Sequence, residues 1–189
     1  MSLDFMKDVE KCIEVLSAGG VILYPTDTVW GLGCDATNEA AVDKIMAIKE
    51  RPANKSFVVL VASERQVMQH AASVDLSVFD YLQNVDHPTT VIYEHALGIA
   101  ENAIASDGSV AMRICSDEFC RHLIKRFRKP IVSTSANISG EPAPAIFPEI
   151  NDVIRERVDY VVEHRRNDVS TKLPSSIIKW ENGKIVKLR

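Results

Sequence analysis

The chain has 189 residues, 46% of them hydrophobic and 25% charged, and carries a formal net charge of -4. That balance suits one packed domain over 1–189 and argues against a generic nucleic-acid coat protein, which would be basic. The charge is uneven: 70–107 holds six acidic residues and no Lys or Arg, whereas 113–129 holds six basic residues against two acidic ones, the pattern of a solvated helix face.

Period and punctuation give the elements in order. Phe5, Val9, Ile13 and Leu16 recur at helical spacing over 4–17, and Gly19-Gly20 ends the run. The apolar stretch 21–24 reads as a buried strand closed by Pro25, and Asn38 caps an amphipathic helix that stops before Pro52. A strand is expected over 57–61, short helices over 63–72 and 76–83, and strands over 89–93 and 109–114. Ser116 is expected to cap the helix bearing Phe119, Leu123, Ile124 and Phe127, ahead of a strand over 131–134 and a small-residue loop over 135–144. A helix over 146–155 and strands over 160–162, 176–179 and 184–188 complete the chain, the last two joined at Asn182-Gly183. Strands and helices mixed without strict alternation predict an α/β or α+β single domain with a mixed sheet.

Cys12, Cys34, Cys115 and Cys120 form no C-x-x-C pair, so they read as reduced structural thiols of a cytoplasmic protein. The start Met1-Ser2-Leu3-Asp4 shows no secretory signal, and no apolar run reaches membrane-spanning length. The histidines have no metal-ligand spacing, and neither a Gly-x-Ser-x-Gly elbow nor a Walker sequence occurs.

Three segments concentrate chemistry. In Tyr24-Pro25-Thr26-Asp27-Thr28-Val29-Trp30-Gly31-Leu32-Gly33, hydroxyls and a carboxylate lead into two glycines that let backbone approach a ligand; a plain turn explains the glycines equally well. Gly31-x-Gly33-x-x-Ala36 matches a loose dinucleotide fingerprint, but it begins too far past the strand for that role. Lys49, Arg51 and Lys55 place three cations on a short arc, enough for a triphosphate, although cations also complement a helix C-terminus unaided. Ser133-Thr134-Ser135-Ala136-Asn137-Ile138-Ser139-Gly140 follows a buried strand and suits a nucleotide or small anion, or a polar turn. Arg113 stands alone at a strand end, where it could fork a carboxylate or form a surface ion pair.

Together these segments resemble the YrdC-type threonylcarbamoyl-AMP synthase family, with Lys-x-Arg-Pro and Ser-Thr-Ser-Ala-Asn-x-Ser-Gly-Glu-Pro as its second and third signatures, over about 8–189. The resemblance implies a twisted mixed sheet with flanking helices and a concave ligand face. It implies the reaction of L-threonine, bicarbonate and ATP, with Mg²⁺ on the nucleotide, to threonylcarbamoyl-AMP and pyrophosphate. A downstream threonylcarbamoyl transferase would consume the product on the tRNA adenosine next to the anticodon, and the basic face could touch the phosphate backbone of double-stranded RNA or tRNA. Carried over by position, Thr28, Arg113, Ser133 and Ser175 resemble threonine contacts. Arg51, Lys55, Thr90, Ser135, Asn137, Ala143 and Arg189 resemble ATP contacts, with Lys49 and Arg51 favoured for charge neutralisation. The chain departs from the family pattern at Ser56, at His87-Pro88-Thr89-Thr90, at Cys115 and at Ser176. An RNA-binding or regulatory module on the same fold, and a carbamoyl-adenylating domain of hydrogenase maturation, are the alternatives.

Overall fold

The apolar runs pair into one sheet, and the amphipathic segments lie against its two faces. The computed structural model describes residues 5–52, 56–181 and 184–188. Its elements are α1 (Met6–Ser17), β1 (Ile22–Tyr24), β2 (Gly31–Asp35), α2 (Glu39–Lys49), β3 (Val58–Val61), α3 (Glu64–His70), α4 (Ser77–Gln83), β4 (Thr89–Tyr93), β5 (Val110–Ile114), α5 (Glu118–Phe127), β6 (Ile131–Ser135), α6 (Asp152–Arg157), β7 (Tyr160–Val161), β8 (Ser176–Glu181) and β9 (Lys184–Lys187). The strand order is β7-β1-β2-β6-β3-β5-β4-β8-β9. β6 runs antiparallel between β2 and β3, while β3 and β5 lie parallel beside it, so the sheet is mixed as expected.

Side-chain alternation divides the core in two. On one face Leu23, Leu32, Val132, Val59, Val61 and Met112 pack under α2, α3 and α4 through Ala41, Ile45, Val67 and Phe79. On the other, Ile22, Tyr24, Leu60 and Ile131 pack under α1 and α5 through Val9, Leu16, Leu123 and Phe127. Phe5 and Phe119 meet edge-to-face at 5.6 Å and join those two helices. Asp8 fastens α1 to the chain after β7, accepting from the backbone N–H of Glu163 at 3.1 Å and of His164 at 2.8 Å. The second face is covered at one end only; beyond it Val58, Ala111, Ile92 and Ile177 are half-buried.

Helix starts follow side-chain caps: Asn38 accepts from Ala41 N, Ser63 from Gln66 N and Asp117 from Cys120 N. The expected cap at Ser116 is therefore one residue early, because the Asp117 carboxylate reaches the free N–H groups. The expected helix over 146–155 is two pieces, a 3₁₀ turn at Phe147–Glu149 and α6. Pro148 sits in that turn and Asn151 recaps the chain, accepting from Val153 N at 3.0 Å.

The glycine segment expected as a loop is instead strand β2, buried at every position. Gly33 stands there because the Tyr24 ring crosses it: an added Cβ would lie 2.6 Å from Tyr24 Cε1 and 3.1 Å from the Val132 carbonyl oxygen. Gly33→Ala should therefore destabilise the fold by about 1–3 kcal/mol through overpacking. Urea unfolding of the variant checks this, and an unchanged midpoint would show that the ring has room to move.

Candidate functional site

The uncovered part of the second sheet face forms a cavity of about 330 Å³. Strand register builds its floor: Ser133 on β6 pairs across to Val58 on β3, and Leu60 pairs to Arg113 on β5. Thr28, Arg51, Arg113, Ser133, Ser135, Ala143 and Ser175 all line this cavity, so seven residues singled out in sequence from separate segments meet around one space. Ser175 arrives from the far side, since 162–175 spans the sheet from β7, at one edge, to β8 near the other. Arg165 holds that crossing segment to α5 through a 2.8 Å ion pair with Asp117. Thr90 sits behind the lining, fully buried, with its Oγ1 2.8 Å from Ser175 Oγ.

The connection between β1 and β2, residues 25–30, folds back over the sheet. Arg113 does not stand alone or at the surface as the sequence suggested. Its Nη2 donates to Asp27 Oδ1 at 2.9 Å and to Thr28 Oγ1 at 3.3 Å, and both members of the ion pair are buried. Asp27 Oδ2 accepts in turn from Ser116 N at 3.3 Å and faces Cys115 Sγ at 3.4 Å. Thr26 Oγ1 accepts from Thr28 N at 3.0 Å and lies 2.9 Å from Thr28 Oγ1, which locks the hydroxyl that reaches the cavity. Sequence reasoning assigned Thr28 and left Asp27 without a role. The signal for Asp27 was present, as a lone carboxylate among hydroxyls beside a strand-end arginine elsewhere in the chain.

The cation cluster is split. Lys49 is 1% exposed and turns away from the cavity, where its Nζ donates to the carbonyl oxygen of Asn137 at 2.6 Å and also to that of Ser135. It supports the β6 loop and does not line the cavity. Asn137 likewise spends its amide inside that loop, its Nδ2 donating to the carbonyl oxygens of Ile138 at 3.0 Å and Glu141 at 2.6 Å. Arg51 does reach the cavity; its guanidinium lies 4.5 Å over the Phe57 ring and Nη2 donates to Ser56 O at 2.7 Å. Lys55 and Arg189 lie outside the described residues.

Burial dominates the titrations near the site. It pushes the Tyr24 phenol and the Cys120 thiol up, so both stay protonated, and it lowers the Arg51 guanidinium from its ordinary value. A second cavity, about 660 Å³, lies on the other side of Asp27 among Arg65, His87 and Arg121, and none of the described sequence-predicted site residues lines it. Among the described residues there is no metal-ligating cluster, and no helix is long and apolar enough to cross a membrane.

The Sua5/YciO/YrdC family model, described as telomere recombination, matches residues 14–189. The chain belongs to that family. A family relative from Pseudoalteromonas translucida, named threonylcarbamoyl-AMP synthase, is 29% identical over 95% of this chain and 96% of its own. One of the same name from Psychromonas ingrahamii is 31% identical over 94% of each. Among solved structures, Pyrococcus abyssi Sua5 complexed with L-threonine superposes with a TM-score of 0.85 at 23% identity, over 97% of this chain and 54% of that one. Escherichia coli YciO gives 0.82 at 20% identity over 97% and 88%. At these identities the two structures establish the family fold, and this chain spans about half the length of the Pyrococcus protein.

Two outcomes follow from the site's electrostatics. Asp27→Ala strands the Arg113 charge in a buried position and should lower stability by about 3–5 kcal/mol, with Asp27→Asn losing less; urea denaturation measures both, and equal small losses would mean that the pair is solvated. Burial and the Arg51 charge lower the Lys49 ammonium from 10.5 to about 8. Between those values the unfolded chain keeps a proton that the folded chain has released, so this group's contribution to stability rises with pH. The stability of wild type relative to Lys49→Met should therefore increase by roughly 3 kcal/mol from pH 8 to pH 10.5. Taking the difference removes the opposite trend of the buried thiols and phenols, and parallel pH curves would overturn the assignment.

Proposed function

We propose that this chain is an L-threonylcarbamoyladenylate synthase, a nucleotidyltransferase that converts L-threonine, bicarbonate and ATP into threonylcarbamoyl-AMP and pyrophosphate. The observation that carries the reading is the convergence of two predicted residue sets on one cavity: Thr28, Arg113, Ser133 and Ser175 with Arg51, Ser135 and Ala143. The names of the relatives support the same chemistry. In this reading Arg113, already oriented by Asp27, offers a guanidinium edge to the threonine carboxylate. The hydroxyls of Thr28, Ser133 and Ser175 take the remaining polar groups of the amino acid. Threonine's amine and carbon dioxide from bicarbonate form the carbamate, with loss of water. A carbamate oxygen then attacks the α-phosphorus, the bond to the bridging oxygen breaks, and pyrophosphate leaves.

The chain's part is positioning and charge neutralisation, with no covalent intermediate. Arg51 and Ser135 serve the nucleotide, and Lys55 and Arg189 would add cations to it. Among the described residues no carboxylate lines the cavity, and in this reading Mg²⁺ would accompany ATP as part of the substrate. The product is a mixed anhydride and needs a prompt acceptor. A threonylcarbamoyl transferase acting on the tRNA adenosine beside the anticodon fits that need. The exposed cations Arg121, Lys125 and Arg126 on α5 offer a surface for tRNA or double-stranded RNA. Four buried free thiols suit the reducing cytoplasm.

Pyrophosphate release from MgATP should require threonine and bicarbonate together, and mass spectrometry should find threonylcarbamoyl-AMP. Equal release without either substrate, or none in any condition, would overturn the reading. Arg113→Lys keeps a cation for Asp27 but loses the planar fork, and should raise the threonine KM about tenfold or more. An unchanged KM would remove Arg113 from the threonine carboxylate.

A further inference from the structure

Among the described residues, two buried polar atoms beside the cavity have no partner within hydrogen-bond geometry: the Tyr24 hydroxyl and Arg113 Nε. Arg113 lines the cavity together with Ser133, and the Tyr24 phenol interacts with Ser133. Tyr24 lies on β1 and Ser133 on β6, with β2 between them. The phenol nevertheless lies against Ser133, because the residue of β2 paired with Ser133 is Gly33, which leaves the ring a path across the strand. Gly31, next along the same face, keeps that path open on the cavity side, since a Cβ there would stand 3.3 Å from Ser133 Oγ.

Tyr24 is 1% exposed and its ring already fills the core. Phenylalanine would pack as well and would bury no hydroxyl. A buried phenol oxygen without an aligned partner is rare in folded proteins and calls for a function. Its burial keeps the hydroxyl protonated, so the group can only donate its proton or accept one. Ser133 has a rotatable hydroxyl at the cavity floor, and whether it donates toward the cavity or away from it depends on what its own oxygen accepts.

We propose that Tyr24 is a positioning residue for the amino-acid substrate, acting through Ser133. When the cavity fills, the Tyr24 O–H donates to Ser133 Oγ, and the serine proton is thereby turned toward the substrate. The anionic end of an amino acid or its carbamate then meets Arg113 and a serine donor together, where an unguided hydroxyl is free to present a lone pair instead. The two glycines of the dinucleotide-like pattern gain a purpose in this account: they clear the path by which a side chain on one strand sets a hydroxyl two strands away.

The inference rests on the synthase reading, and the experiment separates the two. Threonine-dependent pyrophosphate release is measured for wild type, Tyr24→Phe, Ser133→Ala and the double variant, with melting temperatures for all. Tyr24→Phe should raise the threonine KM about tenfold while the ATP KM and the melting temperature stay put. Ser133→Ala should do at least as much, and the double variant no more than Ser133→Ala, because one residue acts through the other. Additive losses, an unchanged threonine KM in Tyr24→Phe, or a loss shared equally with ATP would overturn the proposal alone. A wild type without threonine-dependent release would overturn the function and the proposal with it.

Discussion

The buried ion pair between Asp27 and Arg113 turns a polar sheet face into a cavity. Residues 25–30 lie outside the named strands. Their ends are held by the buried Trp30 ring, by Ala136 N donating to the Trp30 carbonyl oxygen at 3.0 Å and by Cys120 Sγ against the Pro25 carbonyl oxygen. The middle is tied down by this carboxylate, 2.9 Å from the guanidinium and also reached by Ser116 N. A buried pair of this kind adds little net stability, since desolvation offsets most of the attraction, but removing one partner is severe. Its effect is therefore on geometry. It fixes Thr28 at the cavity wall, and it denies Arg113 the freedom to swing, so the guanidinium is held in one orientation at the cavity.

Room for a ligand comes from uneven coverage of the sheet. α1 and α5 cover the second face only as far as Ile131 and Leu60, and the floor beyond is polar or half-buried. Insertion of β6 between β2 and β3 brings a run of hydroxyls to the middle of that floor, where a fully covered sheet would demand aliphatic side chains. The polar groups that are deeply buried there solve their desolvation in pairs, Thr90 with Ser175 and Thr26 with Thr28.

Most of the fold was legible in the sequence because period and punctuation agreed with each other: 89–93 matches its strand to the residue, and the Asn38 cap matches its hydrogen bond. What escaped depended on tertiary partners. β2 reads as Gly-Leu-Gly-Cys-Asp, with few β-formers, and it is a strand because β1 and β6 pair with it on both sides. The site was legible residue by residue, and Arg51, Arg113, Ser133 and Ser135 do meet. The ion pair was not legible, since no local pattern links position 27 to position 113, 86 residues apart.

Sequence adjacency misled most at Lys49, which stands two residues from Arg51 yet serves a different purpose. Glu50 between them adopts a left-handed conformation at φ 52°, ending α2 and sending Arg51 off toward the cavity while Lys49 stays under the β6 loop. There the ammonium gathers the carbonyl oxygens of Ser135 and Asn137 toward itself. Carbonyl dipoles drawn to a buried cation are dipoles not aimed at the neighbouring cavity. The loop can thus offer the Ser135 hydroxyl to an anionic ligand without a facing row of negative oxygens. Lys49 contributes its charge to the site indirectly, by deciding which side of the loop is negative, and this gives a lysine a purpose at a position where burial works against its proton.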